Sequence, residues 1–274
     1  MTIHTYTLGE RLKGVVKAWA AVLIVSWIGV PLVISILYAF SERTALYERT
    51  PIPLSYSLEQ IRFLLFEAGA LYAVKNSVIV ALLTVALSFL LGLPAGYAFA
   101  KYVFPGRDAL KLALIGMRMF PVMIIAVPLV ALYIRIGLSD TLVGVALAHT
   151  AMALPFVVLI TSSVFAGVPR DLEEAGMVFG LSPIGVFLRI TIPLALPGLA
   201  AAAMFTFLLS WNEVFIAAVL TLTNRTLPAF ILTSALAAPD FFKFAANFII
   251  VAPALVFVFV ARRYLVTMWG ITVR

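Results

Sequence analysis

Cysteine is absent from all 274 residues, which excludes disulfides, iron–sulfur clusters and thiolate-bound metal. Charge is scarce as well: Asp, Glu, Lys and Arg make up 11% of the chain, against about 25% in an ordinary soluble domain. That shortage excludes a soluble enzyme and a disordered tail. Histidine occurs only as His4 and His149, and no H-E-x-x-H run is present. A G-x-x-x-x-G-K-[ST] run is missing too, so the chain has no P-loop to cradle ATP phosphates. No nucleophile–base pair, internal repeat or low-complexity tract is evident, so catalysis in this chain is not expected.

What is there is apolar. Hydrophobic residues make up 64% of the chain and the mean hydropathy is +1.14, which places it in a bilayer. A spanning helix needs about 20 mostly apolar residues. Charge-free stretches lie between Lys17 and Glu42, Lys75 and Lys101, Asp140 and Arg170, and Lys243 and Arg262. Two more, at about 111–134 and 194–220, each hold one charged residue inside their ends, Arg118 and Glu213. The sequence therefore predicts an all-α membrane protein with six transmembrane helices. The first run has the positive flank of a signal peptide, but it is too long and no A-x-A-like site follows, so it reads as a permanent span.

The net charge of +7 is spread along the chain rather than clustered, which argues for cytoplasmic loops and against nucleic acid. With both termini inside, eleven basic residues fall on the inner side and seven on the outer side. The expected layout is a cytoplasmic N-terminus at 1–14, a six-helix domain at 15–264 containing a loop at 166–193, and a cytoplasmic tail at 265–274. The long outer segment near 41–74 holds a stretch, Ser57 to Tyr72, that reads as a short amphipathic helix. Pro94, Pro121, Pro128, Pro155 and Pro253 fall inside spans, either as kinks of a packed bundle or as moving parts of a pathway.

The inner loop is the most informative stretch. Pro169 followed by Asp171, Glu173 and Glu174 suits a first helical turn, where negative charge meets the positive dipole end. Gly180 suits the position that stops the helix, and Ser182-Pro183 starts a second piece. Pro193 is expected to end that piece before the next span. The first helix is only about nine residues long, marginal by itself. Leu172, Ala175, Gly176 and Phe179 share one apolar face at i, i+3, i+4 and i+7. Such a face either docks into a partner or packs back on the protein's own spans or on lipid.

Glu174-Ala175-Gly176-x₃-Gly180 followed by Ile192-Pro193 resembles the EAA-x₃-G…LP loop of inner-membrane permease subunits of ATP-binding-cassette (ABC) importers. In detail, Gly replaces the second Ala, and Phe179 replaces the usual Asp. Met119-Phe120-Pro121, Pro128-Leu129, Gly137 to Thr141, Asn76-Ser77 and Ser210-Trp211-Asn212-Glu213 are similar to the carbohydrate-uptake class of that family, of the maltose type. Arg263-Tyr264-Leu265-Val266 resembles its ending, although Gly270-Ile271-Thr272-Val273-Arg274 departs from the usual tail.

The resemblance implies a type I ABC importer permease fold with a cytoplasmic coupling helix, in a bacterial or archaeal inner membrane. It implies that Arg170, Asp171, Leu172, Glu174, Ala175, Gly176, Phe179, Gly180 and Pro193 meet an ATPase. It also implies a second homologous permease, an ATPase dimer carrying ATP and Mg, and an extracytoplasmic solute-binding protein. No cofactor or metal is expected in this chain.

A charge at mid-membrane costs about 2.5–3.5 kcal/mol on insertion scales, so Glu213 and Arg118 should face protein or water. Trp211 offers a stacking face and Asn212 a donor–acceptor pair, chemistries that suit a polyhydroxylated solute. Trp211, Asn212 and Glu213 are thus candidates for a substrate pathway, or equally a cluster that fastens helices together. His149 reads as a packed, hydrogen-bonded residue. The alternative function is a stand-alone secondary carrier or channel. That reading calls for inverted repeats and broken helices with coupling-ion ligands, which the sequence does not display.

Overall fold

The computed structural model of the chain describes residues 8–44, 52–234 and 238–268. His4, Glu48, Arg49 and the ending at 270–274 lie outside the described residues. The chain forms two compact units, one of residues 1–68 with 238–249 and the other of residues 69–237 with 250–274.

In the first unit, helix α1 runs from Leu8 to Ala39, and its most apolar stretch buries nothing. The amphipathic helix expected at Ser57 to Tyr72 is shorter and broken. It is one α turn, α2 (Glu59–Arg62), running into a π turn at Phe63–Glu67. Gly69, at φ +83°, then stops it, because a left-handed residue cannot continue a right-handed helix. The Arg43 guanidinium lies 4.9 Å from the Phe63 ring and 5.2 Å from that of Phe241. Tyr38 stacks on Phe244, and Asn247 donates to Ser35 Oγ at 2.7 Å.

In the second unit α3 (Ala70–Lys101) packs along α6 (Leu142–Ala166), and α9 (Ile192–Trp211) packs on both. Small residues let α3 and α6 approach: a Cβ on Gly92 would strike Val157, and one on Gly96 would strike Thr161. More than half of the apolar stretch of α6 is buried, which makes it the centre of the unit. One core cluster joins Val80, Tyr133, Val145, Ile216 and Leu220, and a second joins Phe165, Val168, Ala195 and Leu199.

Among the described residues four helical stretches are long and apolar enough to cross a membrane: Gly14–Ala39, Ala70–Lys101, Leu142–Ala166 and Pro183–Trp211. A bent pair makes a fifth if its two helices are counted as one span. The span expected at 111–134 is broken into α4 (Arg107–Met117) and α5 (Val122–Arg135), which meet at 87°. Pro121 explains the break, since it donates no N–H and disfavours helical backbone at Phe120. Pro193, by contrast, ends nothing. The pieces α8 (Pro183–Val186), a π turn at Phe187–Thr191 and α9 run on as one helical stretch. The wider π turn loosens the register where the proline ring would otherwise meet the Arg189 carbonyl. The span expected at 194–220 stops at Trp211, and a separate helix α10 (Phe215–Leu220) follows. Then come α11 (Leu227–Ser234) and α12 (Asp240–Met268).

Candidate functional site

The loop between α6 and α9 carries α7 (Arg170–Val178), the nine-residue helix that the local sequence rules lead one to expect. Asp171 and Glu173 sit in its first turn. At its end Gly180 adopts φ +88°, with Leu181 N donating to Gly176 O and Gly180 N to Met177 O. This is the double closure that left-handed glycine permits. Ser182 then caps α8, accepting from Gly185 N at 3.2 Å with Pro183 at the first position.

The apolar face expected for α7 divides. Gly176 is buried, and a side chain there would strike Ile190. Leu172, Ala175 and Phe179 stay outside with Met177 and Val178. Phe179 is 88% exposed and Val178 85%. Arg170, Asp171 and Glu174 are exposed too, and the Arg170–Glu174 pair is long at 3.9 Å. An exposed pair of this kind contributes little.

The buried polar residue of α7 is Glu173, which the sequence reading used only as first-turn charge. Its Oε2 lies 3.1 Å from Lys101 Nζ, and its Oε1 accepts from Thr191 Oγ1 at 2.6 Å. The two charged side chains keep only 8% and 6% of their surface. Lys101 also donates to Val168 O at 2.7 Å. The available signal was helical spacing: Glu173 and Gly176 are three apart and share a face. Once Gly176 turns inward, so does Glu173.

A second polar cluster lies where α9 ends. Glu213 caps α10, its carboxylate oxygens accepting from Ile216 N at 2.9 Å and Ala217 N at 3.0 Å. Its Oε2 also meets His149 Nε2 at 3.2 Å, and His149 Nδ1 meets Ser210 Oγ at 2.8 Å. Ser210 in turn donates to Thr84 Oγ1 at 3.3 Å. The chain of contacts joins α3, α6, α9 and α10. Trp211 is 2% exposed, and its indole N–H donates to Ile250 O at 3.0 Å. Asn212 alone of the three pathway candidates is exposed, with its amide donating to Leu208 O. Arg118 is held on protein: its guanidinium sits 3.9 Å over the Phe156 ring and donates to Met152 O.

A third carboxylate organises the turn at 221–224. Asp140 Oδ1 accepts from the backbone N–H of Leu222, Thr223 and Asn224 at 2.9–3.0 Å. Burial pushes the Asp140 carboxyl up, but the N–H groups of Asn224, Leu222 and Thr223 outweigh it and hold the group below the usual aspartate value. The Asn224 amide returns a bond to Asp140 O, and Tyr72 donates to Asn224 Oδ1.

Residues 88–268 match the family described as the inner membrane component of binding-protein-dependent transport systems. The chain belongs to that family. It is a permease, a non-catalytic membrane component of a transporter. The permease is 34% identical over 200 residues to the trehalose transport system permease protein SugB of Mycobacterium tuberculosis, across 71% of this chain and 73% of that one. It is 33% identical over 227 residues to the alpha-glucoside transport system permease protein AglG of Rhizobium meliloti, covering 78% of this permease and 59% of the relative. In fold it resembles a chain of a bacterial ABC transporter that imports the acidic polysaccharide alginate. That likeness has a TM-score of 0.80 at 18% identity and covers 96% of this chain and 99% of that one. Both α7 and the Glu213 cluster, apart from Thr84, fall within the matched residues.

Proposed function

We propose that this permease is one membrane subunit of an ATP-driven importer for a sugar or a related polyol. The names of its relatives, which transport trehalose and alpha-glucosides, support that class of solute. The proposed assembly holds a second homologous permease, an ATPase dimer that binds ATP and Mg on the inner side, and a solute-binding protein outside. The basic residues favour both termini inside, with α12 as the sixth span. Closure of the ATPases displaces α7 and tilts the bundle outward, and hydrolysis returns it. Asn212, the exposed member of its cluster, is the residue offered to solute, while Trp211 and Glu213 hold the helices around it.

One observation carries the coupling role of α7: an apolar surface left open on a helix whose other side is anchored. Leu172, Met177, Val178 and Phe179 are exposed, while Gly176 and Glu173 face inward. Apolar side chains grouped in this way mark a docking surface. The break in the third span does not favour a stand-alone carrier, because the residue beside it is the cation Arg118, not a ligand for a coupling ion.

Phe179→Asp tests the reading, since an exposed side chain can be replaced at little cost to the fold. The variant is expected in the membrane at normal level, without co-purifying ATPase and without solute-stimulated ATP hydrolysis. Retention of both would remove the coupling role.

A further inference from the structure

The exposed side of α7 accounts for docking but not for how a push on it reaches the spans. A nine-residue helix between two glycines, Gly167 and Gly180, has no covalent stiffness to transmit force. Two inward contacts supply the missing connection. Gly176 lies against Ile190, so closely that an added Cβ would collide with it. Glu173 reaches the last turn of α3 through Lys101 and the π turn before α9 through Thr191. Both spans pack on α6, the centre of the unit.

We propose that Lys101, Glu173 and Thr191 form the mechanical joint through which displacement of α7 moves α3 and α9 together. The inference rests on the coupling role proposed for α7 and names the residues that carry it inward. All three are positioning residues: none meets the partner surface. An ion pair suits the task because its side chains are buried and hydrogen-bonded on both sides, so geometry is held without a covalent bond. Lys101 is doubly fixed, by Glu173 and by the Val168 carbonyl at the other end of the loop. A rigid body made of α7, the end of α3 and the start of α9 is the result.

The absence of cysteine makes the joint directly testable in the complete importer. Lys101→Cys with Glu173→Cys removes the ion pair and installs the only two thiols of this chain. The assembled transporter is expected to keep its ATPase, while hydrolysis no longer rises with solute-loaded binding protein. Bridging the thiols with a short, reducible bifunctional reagent should restore the response, and reduction should abolish it again. A purely structural role would not follow the bridge in this reversible way. Full stimulation without a bridge, or none with it, overturns the proposal.

Thr191→Val is the second variant, should the double replacement fail to assemble. It removes one hydrogen bond and no charge, and a several-fold fall in stimulation with normal assembly is expected. Unchanged stimulation overturns the joint. Phe179→Asp separates the two readings: if it releases the ATPase while both joint variants couple normally, only the joint is wrong.

Discussion

Glu173 and Glu213 are both buried acids close to helix ends, yet they are held by opposite means. Glu173 is held wholly by side chains from distant parts of the chain, Lys101 on α3 and Thr191 before α9. Glu213 is held by two backbone N–H groups of the helix that follows it as well as by the His149 side chain. The first acid therefore only ties elements to one another, whereas the second also builds its own turn. Substitution at the two sites should differ in kind. One should loosen a connection and the other should disturb a local shape.

The largest effect is expected at the ion pair. Removing one member leaves the other charged and buried, a loss of about 3–5 kcal/mol for Glu173→Ala or Lys101→Met. Replacing both with methionine should recover most of that loss, since no stranded charge remains. Thermal unfolding of the purified permease in detergent measures all three variants. Simple addition of the two single losses would mean that the residues do not act as a pair.

Glu213→Gln should cost less, about 1.5–3 kcal/mol, the range for hydrogen bonds to a charged group. The amide keeps one acceptor for Ile216 N or Ala217 N but turns its NH₂ toward the other. Hydrogen exchange should then rise in α10 before it rises in α6. Simultaneous opening of both helices would show that His149, not the cap, is the chief attachment, and the contrast with Glu173 would fail.

These two acids also mark what the sequence made legible. The helix α7 could be read almost to the residue, because Pro169, Gly180 and Ser182-Pro183 act through neighbours a few positions away. The partner of Glu173 could not, because Lys101 ends a different span and nothing local links them. The sequence places Glu213 as a charge within a continuous span, since 194–220 is apolar on both sides of it. In space its carboxylate starts a new helix, a role that the weaker helix formers Ser210, Trp211 and Asn212 just before it could have suggested. Pro121 and Pro193 were equally visible and gave opposite outcomes. Pro121 breaks its span, and a π turn carries the chain past Pro193.

Asp140 extends the comparison to an acid whose carboxylate is held by backbone N–H groups, with no cation paired to it among the described residues. It is partly exposed, so Asp140→Asn is expected to cost only about 0.5–1.5 kcal/mol. Its signature is pH dependence rather than size. The folded carboxyl is held below its ordinary value of about 3.9, so its contribution is complete above that value. The contribution is then lost as the pH falls through the lower, folded value. The wild-type chain should therefore lose stability in that acid window by more than Asp140→Asn does, and the two melting curves should converge there. Parallel curves would mean that the turn at 221–224 is indifferent to the charge, and that three N–H groups can be satisfied by a neutral oxygen as well as by an ionised one.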